Sequence, residues 1–261
     1  MRQIASRENP SFKQWLRLAQ NKSGYQRKQG LIWLEGIHLC QSWLQHYEAI
    51  DTLLLSEEHL DRPEIQQLRQ QIPAEHCVRV PFALMRQLSQ VEQSQGVAMV
   101  VQRPMHAPCS LQQRALLLDR IQDPGNLGTL LRTAAAVGIE QVYLSSGCTD
   151  VWGQKVLRSG QGAHFALALY EGVDLAALIQ TASVEVYATS LAPQSQSLYQ
   201  HPLSAQAAWI FGNEGQGVHP DLQALCAQQL FIPQSAAVES LNVAIAAAVC
   251  LFEQYRQQRT S

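Results

Sequence analysis

Compact apolar runs alternate with helix-period segments along the whole chain. LIWLE (31–35), DTLLL (51–55) and the aliphatic run at 97–101 have the density of buried strands. Between them, residues 36–47 and 63–71 repeat apolar positions at helical spacing. Residues 102–113, QRPMHAPCSLQQ, carry two prolines and no sustained period, which predicts a linker. The alternation then restarts. ALLLD (115–119), QVYLS (141–145), VEVYAT (184–189), AAWIFG (207–212) and QLFIP (229–233) predict strands. Residues 126–137 predict a helix ended by Gly138, which suits a left-handed cap. Residues 240–255 predict a final helix with Ile245, Val249 and Phe252 at helical spacing and a run of alanines that lets another backbone pack close. Strands separated by helices imply a mostly parallel sheet covered on both faces. The expected organisation is a small α/β domain over 1–101, a linker over 102–113 and a larger α/β domain over 114–261.

Composition narrows the setting. The 261 residues hold no apolar stretch of the roughly 18 residues that spans a bilayer, and the first ten residues lack a signal-peptide core, so a cytoplasmic protein is expected. Six cysteines (Cys40, Cys77, Cys109, Cys148, Cys226, Cys250) are scattered without a CxxC pair, which favours reduced thiols and predicts no zinc or other metal. A net charge of −2 argues against indiscriminate coating of nucleic acid. The charge is uneven, however. Arg2, Arg7, Lys13, Arg17, Lys22, Arg27 and Lys28 precede residue 30 against Glu8 alone. That end is either a phosphate-contacting surface or a solvated basic helix.

Open parallel sheets bind ligands beyond the C-terminal ends of their strands. Three segments in such loops carry unusual residues. In DRIQDPGNLGTLLRTAAAVGI (119–139), Asn126 is placed to cap a helix, Gly128 keeps its first turn slim, and Arg132 follows nearly two turns on. By itself this is also what a well-capped surface helix looks like. In IFGNEGQGV (210–218), three glycines in six residues follow a strand and leave room for a ligand against free backbone N–H groups. The spacing is neither GxGxxG nor a phosphate loop, and Glu214 would repel a phosphate while attracting a cation such as a sulfonium. In IPQSAAVESLNVAIAAA (232–248), Ser240 or Asn242 begins the last helix. No GxSxG elbow points to a serine hydrolase.

Taken together, the segments resemble the three signature motifs of the SpoU/TrmH family of RNA 2'-O-ribose methyltransferases, in the SPOUT superfamily. The first is Asn126-x-Gly128-x-x-x-Arg132. The second is Phe211-Gly212-Asn213-Glu214-x-x-Gly217. The third is Ile232-Pro233 followed by Ser240-Leu241-Asn242-Val243-Ala244. Order and spacing agree over 114–256. Asn9-Pro-x-x-Lys13, GYQRKQG and LIWLEGIHL resemble the substrate-binding domain of many members, with a fold akin to an RNA-binding ribosomal protein. The resemblance implies a deep trefoil knot near the C-terminus, a homodimer with the site at the subunit interface, and S-adenosyl-L-methionine as methyl donor. It places Gly212, Ile232 and Leu241 on the donor through backbone groups, with Thr189, Ser190, Asn213 and Pro233 lining the same cleft. It implies catalytic work for Arg132, Glu214, Ser240 and Asn242, and RNA contacts for Asn126, Arg27, Lys28, Lys155 and Arg158. Lys155 and Arg158 are equally readable as ordinary surface charges, and His164 as a packed histidine. Gln161, between Gly160 and Gly162, departs from the small residue that relatives often have there. A domain ahead of the catalytic one points to ribosomal RNA, with transfer RNA the alternative. A base-modifying relative and a silent RNA-binding factor on the same fold are the other readings.

Overall fold

The computed structural model describes residues 1–107 and 110–259; Pro108 and Cys109, within the expected linker, and Thr260 and Ser261 lie outside the described residues. In chain order the elements are β1 (Arg2–Gln3), α1 (Pro10–Gln20), α2 (Tyr25–Gln29), β2 (Leu31–Glu35), α3 (Ile37–His46), β3 (Thr52–Ser56), α4 (Pro63–Gln70), β4 (Cys77–Val80), α5 (Phe82–Leu88) and β5 (Val97–Gln102). They continue with β6 (Leu116–Asp119), α6 (Pro124–Ala136), β7 (Gln141–Leu144), α7 (Gln154–Gly160), β8 (Ala168–Glu171), α8 (Leu175–Gln180), β9 (Val186–Thr189), β10 (Gln196–Ser197), β11 (Ala208–Gly212), α9 (Pro220–Leu225), β12 (Gln228–Phe231) and α10 (Val243–Arg259). Two compact units result. One is Met1–Pro104 with Trp152–Phe165, the other Met105–Val151 with Ala166–Ser261.

The first unit is built on a five-stranded mixed sheet ordered β1-β4-β3-β5-β2, with β5 antiparallel to both β3 and β2. Period-two alternation splits its strands between faces. Leu31, Trp33, Leu54, Val78, Val80, Ala98 and Val100 pack against Phe12, Trp15 and Leu18 of α1. Helix α1 begins where Asn9 Oδ1 accepts from Ser11 N at 2.9 Å, a side-chain cap ahead of Pro10. Strand β4 and helix α1 escape the apolar-run reading, because CVRV is interrupted by Arg79 and α1 buries only a narrow stripe among polar residues. Helix α7 packs in this unit. Gln154 Nε2 donates to the Trp33 carbonyl at 2.6 Å, and Phe165 meets Trp43 edge-on at 5.3 Å. Gly162 allows this approach, since a Cβ there would lie 2.5 Å from Ser42 Oγ.

The second unit carries seven strands, all parallel, in the order β10-β12-β9-β11-β6-β7-β8. Every residue of β11 is buried, as a strand covered on both faces requires. Register pairs Gly212 with Asp119 and Leu230 with Thr189. The C-terminal ends of β6, β11, β9 and β12 are therefore neighbours, and the loops that leave them share one edge of the sheet. Helix α10 turns Ala244, Ala247, Cys250, Leu251 and Gln254 inward and packs on α6. Gln254, 2% exposed, accepts from Trp209 Nε1 at 3.0 Å and donates to the carbonyls of Ser204 and Ala207. Ile245 and Phe252, two of the three residues at helical spacing, are 54% and 49% exposed instead. The face with Ala244, Ala247, Cys250, Leu251 and Gln254 packs on the unit and leaves Ile245 and Phe252 outside.

Two local expectations are corrected. Helix α6 starts at Pro124, not at Asn126, and its cap is Asp123, whose Oδ1 accepts from Asn126 N at 2.8 Å. Proline at the first helical position has no N–H to satisfy and a φ already suited to the helix, so the cap falls one residue before it. Strand β8 replaces an unassigned stretch. Gly138 does adopt a left-handed φ of +73°, and its N–H reaches the Ala135 carbonyl at 3.0 Å. The five described cysteines are unpaired, and Cys109 is outside the described residues.

Candidate active site

The site begins with the turn after β11. Asn213 and Gly217 form an isolated bridge, Gly217 N donating to the Asn213 carbonyl at 2.8 Å. Asn213 Oδ1 accepts from the backbone N–H groups of Gly215 and Gln216 at 3.0 and 3.1 Å, which tightens the turn from inside. Gly217 sits at φ +68°, a left-handed conformation that costs glycine little. The turn folds so far back that Gly212 has no room for a side chain.

Glu214 projects from this turn toward the start of α6. Its Oε1 accepts from Asp123 N at 3.0 Å and from Asn126 Nδ2 at 3.2 Å, and its Oε2 from Gln122 N at 3.3 Å. Asn126 Oδ1 in turn accepts from Asn242 Nδ2 at 3.0 Å. Asn242 caps α10, its Oδ1 accepting from Ala244 N at 2.9 Å. One residue from each of the three motifs thus stands in a single chain, Glu214–Asn126–Asn242. Asn126, freed from capping its own helix, is the middle link. Burial alone would raise the Glu214 carboxyl, but the hydrogen bonds from Asp123, Asn126 and Gln122 outweigh it and hold it below the ordinary value of 4.5. Glu214 is therefore ionised at neutral pH and acts as an anchor, not a proton acceptor poised near 7.

The sign of the pH dependence follows. A folded-state value below 4.5 stabilises the site at every pH above 4.5, and that stability is lost as pH falls through the folded value. Thermal melting followed from pH 7 to 3 is expected to show an acid limb below pH 4.5 that Glu214→Gln flattens.

Behind this chain lies a cleft of about 350 Å³. Thr189 at the end of β9 with Ser190 and Leu191 after it, the turn after β11, and Ile232, Gln234, Ser240 and Leu241 after β12 line it. Leu230, Phe211 and Val218 supply apolar wall. Of the residues expected at a methyl donor, Gly212, Asn213, Thr189, Ser190, Ile232 and Leu241 line the cleft, while Pro233, next to Ile232, does not. Of the four expected to be catalytic, Glu214 and Ser240 line it and Asn242 joins through Asn126. Arg132 stands apart. It is exposed on α6 in the stripe Gly125–Thr129–Arg132, about 120° round the helix from Asn126. No described residue hydrogen-bonds or ion-pairs with it.

The other expected RNA contacts belong to the first unit. Arg27 and Lys28 are exposed on α2, Lys155 is exposed on α7, and Arg158 there is half-buried. Gln161 occupies a left-handed φ of +50°, a conformation cheapest for glycine, where it ends α7. His164 is fully buried beside Trp152, 5.4 Å ring to ring. Reading by motif missed Gln122, Asp123 and Gln216, which contact the motif residues Glu214 and Asn213, and Asp119, which pairs with Arg120; none has a spacing of its own to betray it.

Comparison with known proteins gives the same picture. The SpoU rRNA Methylase family profile matches residues 113–252, and the MRM3-like substrate binding domain profile matches residues 9–99. The chain is 32% identical to the 23S rRNA (guanosine(2553)-2'-O)-methyltransferase RlmP of Bacillus subtilis, over 97% of this chain and 98% of that one. It is 34% identical to an uncharacterized tRNA/rRNA methyltransferase of a Synechocystis strain, over 98% and 94%. The AdoMet-bound rRNA methyltransferase of Sinorhizobium meliloti superimposes with a TM-score of 0.83 at 26% identity, covering 98% of this chain and 97% of that one. Parallel sheet, cleft and motif chain define an S-adenosylmethionine-dependent RNA 2'-O-ribose methyltransferase. The chain belongs to the SpoU rRNA methylase family and carries an N-terminal substrate-binding domain.

Proposed function

We propose that this protein methylates a ribose 2'-hydroxyl of 23S ribosomal RNA, acting as a cytoplasmic homodimer in which residues 1–101 hold the RNA and 114–261, with a trefoil knot near the C-terminus, do the chemistry. The observation that carries the reading is the convergence of all three motifs on one cleft through Glu214, Asn126 and Asn242. The cleft suits S-adenosylmethionine. Its volume is within the range of small-molecule sites, the glycine turn brings backbone close to any ligand, apolar wall is available for an aromatic base, and ionised Glu214 complements a cation. When bound, that donor supplies a methyl group activated on a positive sulfur.

The chain's residues do the rest. Gly212, Ile232 and Leu241 hold the donor, with Thr189, Ser190 and Asn213 along the same wall and Pro233 setting the strand exit beside them. Ser240 in the cleft wall and Asn242, bonded to Asn126 beside it, orient the ribose. A hydroxyl is a weak nucleophile and must shed its proton as it attacks, in line with the bond that breaks, so orientation supplies several kcal/mol of the barrier. Arg132 stabilises the developing oxyanion and the neighbouring phosphate. A guanidinium stays charged, so Arg132 assists the deprotonation by positioning and electrostatic stabilisation while the proton passes to solvent water. Its exposed place on α6 fits a site completed across the dimer interface, as do the exposed Ile245 and Phe252 on α10, which packs on α6. Arg27 and Lys28, with Lys155 and Arg158, contact RNA phosphates.

The test is methyl transfer from labelled S-adenosylmethionine to total ribosomal and total transfer RNA from a strain lacking the protein. Label in 23S RNA, resistant to alkali at a single dinucleotide, is the expected result. Label in transfer RNA reassigns the substrate, alkali-labile label points to a base, and donor binding with no transfer to either pool points to a silent RNA-binding factor.

A further inference from the structure

Arg120, directly after β6, has a backbone that side chains other than glycine rarely adopt. Its φ is +56°, one of three positive values outside glycine among the described residues. Such a conformation persists where surrounding contacts over-determine it, and it marks places where strain serves a purpose. Asp119 is 3% exposed, and a buried carboxylate requires a partner with good geometry. The left-handed turn swings the next side chain back onto it. Arg120 Nε donates to Asp119 Oδ1 at 3.0 Å and Nη2 to Oδ2 at 2.9 Å, a two-pronged pair.

The remaining guanidinium bonds reach the turn after β11. Arg120 Nη1 donates to Gln216 Oε1 at 2.9 Å and Nη2 to the Gly217 carbonyl at 3.3 Å. Asn213 Nδ2 donates to the Arg120 carbonyl at 3.1 Å. His219 N donates to Asp119 Oδ2 at 3.0 Å. Residues 213, 216, 217 and 219 are thus tied to a single ion pair at the end of the neighbouring strand. Ser145 Oγ accepts from Arg120 N at 2.9 Å and holds the strained peptide in place. Gly147 leaves space for the arginine stem. A Cβ there would lie 2.7 Å from Arg120 Cγ and 3.3 Å from its Cβ.

We infer that the Asp119–Arg120 pair is a clamp that holds the glycine turn in its donor-binding shape, so that Arg120 is a positioning residue for S-adenosylmethionine. This rests on the donor site proposed above. Without the guanidinium the turn keeps its internal bridge and the Asn213 bond to the backbone carbonyl of residue 120 but loses the bonds to Gln216 and Gly217, and that side of the cleft must be ordered by the donor at the moment of binding. That cost falls on donor affinity, not on the methyl-transfer step.

Arg120→Gly is the informative variant, because glycine accepts φ +56° without strain while deleting every guanidinium contact. Titration calorimetry of the full-length protein with S-adenosylmethionine and with its demethylated product, S-adenosylhomocysteine, reads the effect. A loss of about tenfold in affinity for both, equal to about 1.4 kcal/mol, is expected, together with a lower melting temperature of the ligand-free protein, because Asp119 is left buried without its partner. The donor KM rises by the same factor and kcat at saturating donor carries the smaller share. Arg120→Lys keeps the charge but not the fork and recovers part of the loss. Gly147→Ala, at a position that does not line the cleft, displaces the arginine stem and weakens donor binding in the same direction. Native affinity in Arg120→Gly overturns the clamp. If that variant does not fold, native affinity in Gly147→Ala overturns it instead. A native protein that binds no S-adenosylmethionine overturns both the clamp and the donor site, so the two failures are distinguishable.

Discussion

Arg132→Ala is expected to lower methyl transfer at saturating donor and RNA by about two to three orders of magnitude, the range seen when one preorganised donor is removed from a developing oxyanion. Melting temperature and donor affinity should not move, since no described residue bonds to the Arg132 side chain and an exposed surface substitution is worth within about 0.5 kcal/mol. Arg132→Lys should remain poor, because an ammonium cannot present two parallel donors to hydroxyl and phosphate. The same residue tests the dimer. In a mixture of Arg132→Ala chains with Gly212→Val chains, the first has an intact cleft and the second an intact arginine. If Arg132 serves the partner's cleft, co-expression recovers about a quarter of native activity, the statistical share of one working site in half of the symmetric dimers. If Arg132 serves its own cleft, mixing restores nothing. Single-turnover assays on the co-purified mixture decide between them.

Gly212→Ala should abolish donor binding. The reason is contact and not conformation, since the φ of Gly212 is not positive. A Cβ on Gly212 would lie 2.2 Å from Gly217 C and Val218 N and 2.3 Å from the Gly217 carbonyl oxygen. These are backbone atoms of the turn itself and cannot rotate away. The turn must open, breaking the Asn213–Gly217 bridge and withdrawing Glu214 from Asp123 and Asn126. Donor affinity is expected to fall by at least about a hundredfold, and the protein to lose about 3 kcal/mol, typical of overpacking in a buried site. Gly215→Ala is the control for the fold. A Cβ there meets only Asn213 Oδ1, at 3.7 Å, an ordinary van der Waals contact, so its melting should stay close to native. A Gly212→Ala protein that bound donor with native affinity would show that the turn does not shape the cleft.

Much of this molecule was legible residue by residue. LIWLE, the aliphatic run from Val97 and QVYLS are strands at or within a residue of the expected bounds, because a strand buried on both faces must be apolar throughout. The glycine turn and the Ser240–Asn242 cluster were legible as chemistry, because their residue types are poor choices for plain strands or helices. CVRV at β4 was not legible, since one half-exposed arginine breaks the run. Nor was the cap of α6. Asp123 and Asn126 are both good caps on chemical grounds, and the choice fell to Pro124 between them.

Local sequence alone therefore determined which segments are strands and which loops carry the family's motifs. Each of these depends on near neighbours along the chain, and a residue's neighbours are written in its sequence. Only the tertiary structure decided that β11 lies between β6 and β9, that α7 packs with the first unit, and that Asn126 bridges Glu214 to Asn242 instead of capping its helix. It alone placed Arg132 outside the cleft and bent Arg120 back onto Asp119. The physical reason is that periodicity reports how deeply a segment is buried and not what it is buried against. Partners in a parallel sheet are chosen by crossovers between segments tens of residues apart, and a polar side chain bonds whichever group those crossovers bring within about 3 Å.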